Sequence, residues 1–515
     1  MNHPASKIPQ RTSNGRARHS VRAVSRLSSL GANGVTRPTA VFGRWMLKAG
    51  CWTLSAILLL AGGCATYHPR PISPENTAAA FDARSLADEH LRAFFETNHV
   101  AMPGPRDVWN LKQLTFVAFY YQPALLEARA QLLAAQAAKI TAGERPNPSV
   151  TATPGYDSQI PDTPSPWVVP VSFDLPIETA GKRGKRVAEA EQLAEVARWN
   201  LVGVVWQVRS QLRAALLNLY AARELEALLA RQDTAQSNVV RLLDGQFSAG
   251  SVSDFEVTRA RTTLATTRLA WEDAVGKTRQ ARIELAHALG VPTHALAGVR
   301  LSFIELNQFP RGLTRSEVRR QALLNRADVR GALAEYAASQ SALQLEIANQ
   351  YPDLHLGPGY AWNSGSAGDN QWELGLTLTL PLLNHNQGPV AEAEAKRAQA
   401  AAHFLSVQAD AIAGIDSALT GYHAALQQVA TAKALLDNAR KQLGSVRAQA
   451  QAGETDPLAV ANAEVEYAAG SQNRLNALVS AQQALGRLED ALQSPLTLPP
   501  ATMDTAQNGF PQAEK

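Results

Sequence analysis

The chain has 515 residues, with 49 Lys and Arg against 45 Asp and Glu, and only two cysteines. The formal charge of +4 misleads, because residues 1–63 hold nine of the basic residues and no acid. The rest carries 40 basic against 45 acidic groups, which excludes nucleic acid as the partner and leaves ample length for a large core.

Residues 1–63 read as a leader. "WTLSAILLLAGGCA" is a short apolar run ending in small residues and a cysteine, too short to span a bilayer as a helix but flanked like a secretion signal. Its "LAGGC" ending resembles the lipobox of bacterial lipoproteins. That resemblance implies cleavage before Cys64, a covalent lipid on the Cys64 thiol and, with Ala65 behind it, outer-membrane delivery. Met46 begins a signal of ordinary length with Lys48 as its charged region, so translation can start at Met1 or Met46. Cys51 leaves with the signal, and one acylated cysteine allows neither a disulfide nor a thiolate metal site within a protomer. No other cofactor is expected.

After an N-terminal segment, 64–108, the chain enters a first unit, 109–295. It opens with a helix over Trp109–Gly143. Two strands follow within about 148–176, and in "WVVPVSFDLP" Trp167, Val169, Val171, Phe173 and Leu175 alternate with Pro170, Ser172 and Asp174. Lys182, Arg183, Lys185 and Arg186 mark the strand exit, where they can meet lipid phosphates or sit in water. From Lys182 to Gln246 there is no proline, which gives a helix of about 100 Å at 1.5 Å per residue. A turn at Gly250–Asp254 and a helix over Asp254–Gly290 close the unit.

A linker, 296–313, leads to a second unit, 314–495, that repeats the order. A helix over Glu317–Gln350 precedes strands within about 352–381, where Leu354, Leu356, Tyr360 and Trp362, then Trp372, Leu374, Leu376, Leu378 and Leu380, take alternate positions. A long helix over Gln387–Gln451 has its one proline, Pro389, in the first turn, where proline is tolerated. A turn at Gly453–Pro457, a helix over Pro457–Leu492 and a tail, 496–515, complete the chain.

The two units are a tandem duplication. "VAEAE" occurs at Val187–Glu191 and at Val390–Glu394, 203 residues apart. "NPSVTATPGY" answers "YPDLHLGPGY" at 204, Gly250 answers Gly453 at 203, and "ALGVP" answers "ALQSP" at 203. The repeat is too long for a solenoid. In each unit the two flanking helices together match the long one, so they should stack end to end beside it as an antiparallel coiled coil. The strands have the length of tilted membrane strands with aromatics near their ends. A half-buried soluble hairpin shares that alternation; the lipoprotein signal and the duplicated hairpin favour the membrane. Four strands cannot close a barrel, and an open edge in lipid leaves backbone groups unpaired, so several copies must assemble.

The duplicated order, the "PNPSVTATPGY" and "YPDLHLGPGY" strand entries, the "LPLLNHNQGPVAEAEA" exit and the two Gly-containing turns resemble the TolC-type outer-membrane efflux channels, over about residues 75–495. "PIETAGKRGKR" looks most like the branch that contains heavy-metal efflux channels. The resemblance implies a mainly α fold: long coiled coils forming an α-barrel in a homotrimer, with a small 12-stranded transmembrane β-barrel. It implies no enzymatic activity, outer-membrane lipid around the barrel, the helical part in the periplasm, and docking on a periplasmic adaptor and an inner-membrane pump of the resistance-nodulation-division type. Gly250, Ser253, Asp254, Gly453 and Asp456 would form the periplasmic tips that touch the adaptor, and Glu256 would be the gate carboxylate. The second unit has Ala459 and Asn462 near the matching place, which departs from an acidic ring. The histidines, among them His355, His385, His403 and His423, stand apart in the sequence and suggest no metal site. Two other readings compete: a periplasmic adaptor lipoprotein, and a structural coiled-coil lipoprotein without a pore.

Overall fold

The structure, a computed structural model, describes residues 66–104, 107–156, 167–310, 312–363 and 371–496. The leader, Cys64 and the tail beyond 496 lie outside the described residues. The chain divides into two compact units, Met1–Ile72 and Ser73–Lys515. Residues 66–72 hold no helix or strand, and every element below belongs to the second unit.

Two short helices that the sequence did not suggest come first, α1 (Pro74–Asp82) and α2 (Glu89–Thr97). Ser73 and Asp88 cap them by accepting hydrogen bonds from the first-turn amides. The expected helix Trp109–Gly143 is divided: β1 is Val108–Trp109, α3 is Leu111–Tyr121 and α4 is Pro123–Ala142. Pro123 explains the break, because its ring disfavours helical backbone at Gln122, which is extended at φ −71° and ψ 120°.

Each of two long helices is flanked by the expected short ones. The first, α5 (Lys182–Ser248), has 67 residues, and α6 (Asp254–Leu289) has 36. A parallel bridge joins β1 to β5 (Arg300–Leu301) in the linker. The expected helix Glu317–Gln350 divides into α7 (Arg315–Asn325) and α8 (Ala327–Ala348), with Arg326 extended and no proline. The second long helix, α9 (Gln387–Gln451), has 65 residues, and α10 (Pro457–Leu492) has 36. α4 and α6 pack along α5; α8 and α10 pack along both α9 and α5. The order is therefore α4–α5–α8–α9 beside the strands and α6–α5–α10–α9 toward the turns.

The two breaks are equivalent joints. Gln122 Nε2 donates to the carbonyls of His287 and Ala288 at 2.7 and 2.8 Å. Arg326, 204 residues on, donates from Nη1 to the carbonyl of Ala491 at 2.5 Å. Each break residue thus satisfies carbonyls that end the other short helix of its repeat. Duplication kept the joint and changed the side chain. A buried core surrounds each one. Phe95, Phe116, Phe119 and Leu285 fill the first, and Ile415, Tyr422, Leu485 and Leu488 fill the second.

The remaining strands form one antiparallel sheet. β2 (Ser149–Ala152) and β3 (Gly155–Tyr156) both pair with β4 (Trp167–Ile177), which pairs with β6 (Leu354–Asn363), which pairs with β7 (Gln371–Leu378). The two hairpins therefore join through β4 and β6 into four strand positions. The last strand stops at Leu378, two residues short of the expected Leu380.

Candidate functional site

The sheet register sorts the side chains by polarity. Val150 pairs with Phe173, Val171 with Tyr360, Leu175 with Leu356, and Leu356 with Leu376. With period-two alternation, this face is apolar across every strand. The opposite face carries Thr151 and Ser172, then Asp174, His355, Gly359, Glu373 and Thr377. The apolar face is uncovered: Trp372 is 83% exposed, Leu374 76% and Leu376 64%. Exposed apolar surface of this extent marks a lipid or protein contact. Tyr156 packs edge-on against Trp167, and Tyr360 packs at a tilt against Trp372, so each hairpin carries a cross-strand aromatic pair. Among the described residues, β2, β3 and β7 each pair on one side only.

The basic strand exit is engaged by neighbouring groups, although Arg183 stays exposed. Lys182 is buried and its Nζ lies 2.8 Å from Asp353, across the two repeats. Arg186 pairs with Glu178, Arg183 donates to the carbonyl of Gly143, and Lys185 donates to Gln344. Lys182 and Arg186 hold the strand ends against α5, while Arg183 and Lys185 tie α5 to α4 and α8.

Midway along α5 lies a buried cluster that the sequence reading missed. Glu489 of α10 accepts from Arg209 at 3.2 Å and lies 3.3 Å from Arg213 Nε, and all three are buried. Arg213 also donates to Gln482, whose amide donates to the linker carbonyls of Leu306 and Gln308. Burial pulls the Arg213 guanidinium below its usual range, against the pull of Glu489. Trp206 and Ser210 donate to Asp490 beside it. One signal was available: Arg209 interrupts the apolar stripe Leu201, Val205, Val208, Leu212, Leu216 of α5.

At the far ends of the long helices the expected tip residues form two turns. Gly250, at φ +74°, ends α5, with Ser251 N donating to Gln246 O at 2.8 Å. Gly453, at φ +79°, ends α9, with Glu454 N donating to Gln449 O at 2.9 Å. Both are left-handed helix stops of the kind glycine favours. Asp254 begins α6, while Ser253 and Glu256 form a capping box in which the Glu256 carboxylate accepts from Ser253 N. Glu256 therefore holds its own helix start, a task that the pattern Ser253-Asp254-Phe255-Glu256 announces. Asp456 caps α10 and accepts from Gln246 Nε2 at 2.7 Å, which brings the two turns together. Just behind them, Asp244 pairs with Arg261 in the first hairpin and Arg447 with Glu464 in the second. Both members are displaced by 203 residues, and the charges are exchanged.

The family model described as "Outer membrane efflux protein" matches residues 120–291 and 318–493. The chain belongs to the outer membrane efflux protein family. Both tips, the sheet and the buried cluster lie within the matched outer membrane efflux protein spans, whereas Cys64, α1 and α2 precede them. Among relatives, the cobalt-zinc-cadmium resistance protein CzcC of Cupriavidus metallidurans is 28% identical over 218 residues, 42% of this chain and 50% of that protein. The pyoverdine export outer membrane protein OpmQ of Pseudomonas aeruginosa is 24% identical over 221 residues, 42% of this chain and 46% of that protein. The chain thus spans about half the length of the curated relatives it matches. Its fold matches the outer membrane protein VceC of Vibrio cholerae with a TM-score of 0.61 at 19% identity, covering 74% of this chain and 95% of that one. It matches the CmeC outer membrane channel of Campylobacter jejuni with a TM-score of 0.61 at 16% identity, covering 87% and 95%. This efflux protein is therefore mainly helical, built on two copies of a helix–hairpin–helix–helix unit.

Proposed function

We propose that three copies of this chain close into one outer-membrane channel, lipid-anchored at Cys64, which passively conducts substrate outward. An inner-membrane pump of the resistance-nodulation-division type and a periplasmic adaptor would deliver that substrate to the tips at Gly250–Asp254 and Gly453–Asp456. The chain would act as a conduit and not as an enzyme. Metal ions or small toxic compounds would be the cargo; one relative is named for cobalt, zinc and cadmium resistance and the other for pyoverdine export.

The observation that carries this reading is the sheet: among the described residues, one apolar face is uncovered and two edges are unpaired. An apolar face suits lipid, and edges in lipid must be paired by something. The helices support the same answer. On one side the chain presents β2, α4 and α6; on the other it presents β7 and α9. Along α4, Leu126, Leu133 and Ile140 are exposed at seven-residue spacing, an unfilled coiled-coil seam. Unlike edges on opposite sides make a head-to-tail contact, which gives a ring where the rotation between copies closes. Three copies supply twelve strands, within the range of known membrane barrels.

Single-channel recording from the detergent-solubilised protein in a planar bilayer tests this. Stepwise openings are expected. A folded protein that inserts without discrete current steps would contradict the channel.

A further inference from the structure

The polar face of the sheet joins two residues that no sequence motif connects. His355 of β6 and Asp174 of β4 are 181 residues apart, and His355 Nδ1 lies 3.0 Å from Asp174 Oδ1 and 3.1 Å from Oδ2. An ionised carboxylate only accepts, so Nδ1 carries the proton and Nε2 of the neutral ring keeps its lone pair. Nε2 makes no hydrogen bond among the described residues, and the His355 side chain is 39% exposed. It also lines an open groove of about 670 Å³ at the sheet-to-helix corner, with Asp353, Asn384 and Asn386. Asp353 Oδ1 in the same groove accepts from Lys182 Nζ and the Thr179 amide, and Nε2 is the ligand atom that the imidazole keeps available there.

A carboxylate on one ring nitrogen fixes the tautomer and raises the basicity of the other, the arrangement found behind most metal-bound histidines. Neutral imidazole suits zinc, cobalt, nickel and copper rather than magnesium or calcium. The surrounding charge favours a cation as well. The described strands of this antiparallel sheet, β2, β3, β4, β6 and β7, carry two carboxylates, Asp174 and Glu373, both on the polar face, and no Lys or Arg. Carboxylates on a pore wall attract cations, and conduction needs binding strong enough to admit an ion and weak enough to release it. One nitrogen ligand per chain meets both demands.

We propose that His355, oriented by Asp174, is a pore-wall site that binds a divalent transition-metal cation through Nε2. Its place on a pore wall rests on the channel reading; metal binding itself does not. Calorimetric titration of Co²⁺ into the detergent-solubilised protein separates the two. His355→Gln should bind one Co²⁺ fewer per chain than the natural protein. Asp174→Asn should keep the stoichiometry and bind that ion roughly ten- to a hundredfold more weakly. Mg²⁺ in place of Co²⁺ should not distinguish the three proteins. Equal Co²⁺ stoichiometry in the natural protein and His355→Gln would overturn the site, as would an Asp174→Asn protein with unchanged affinity. Bilayer recording then places the site: a bound ion without any conductance would refute the pore and leave the site standing.

Discussion

Two glycines show how unequal residues of one type are. Gly290 ends α6 at φ +75°, and a Cβ there would stand 2.9 Å from the carbonyl oxygen of Tyr121, while Gly250 at φ +74° has nothing within 4 Å. Gly250→Ala should cost about 1–2 kcal/mol in left-handed strain alone. Gly290→Ala should cost more, because the opposing atom is backbone; thermal unfolding of the two variants checks the order. The repeat equivalent of Gly290 is Gln493, at φ 48°, whose side chain accepts from Ala327 N at 2.7 Å. Glu256 has a sharper test. Glu256→Gln can keep the capping box, since glutamine serves at that position. If the carboxylates of three copies converge at a gate, the variant should show weaker divalent-cation block of conductance. Unchanged block would place the constriction elsewhere. The glycine stops and caps were legible because each depends on neighbours within six residues. Arg213, Glu489 and the His355–Asp174 pair were not, because their partners come from the other repeat.

Among elements, the alternation of the strands is legible in the sequence, but only the register shows that all four positions share one apolar face. Leu376→Arg on that face should cost roughly 2–4 kcal/mol per copy near the bilayer midplane. Its neighbour Thr377→Arg, on the polar face, should be tolerated. Heat-modifiable oligomer bands on gels would report both, and equal loss would mean that the apolar face does not meet lipid. Pro123 signals the first break, yet Arg326 breaks the second helix with no signal except the duplication itself, since what holds it is a distant carbonyl. The exchanged pairs Asp244–Arg261 and Arg447–Glu464 were also hidden, because exchange of sign erases sequence similarity. These pairs are partly exposed, so each should contribute no more than about 1 kcal/mol. Combining Asp244→Arg with Arg261→Glu should restore most of what each single change loses, as a double-mutant cycle on thermal stability would measure.

For the whole molecule, the duplication explains both its internal order and its incompleteness. One gene doubling gave two hairpins that join through β4 and β6, and two long helices bridged by α8 and α10. The repeats were legible because four landmarks keep one offset. How they dock on each other was not, since that contact uses the buried charges on α5 and α10. After internal pairing, the chain still presents two different edges, β2 with β3 on one side and β7 on the other. A copy cannot join its own edges, because four strand positions are too few to close a barrel. Cysteines introduced in pairs, one at 149–152 and one at 371–378, therefore test the ring itself. Oxidation in outer membranes should give a ladder of one, two and three chains for the pairs in register, and nothing larger. No cross-link for any pair, or a ladder running past three, would contradict a closed trimer of this chain.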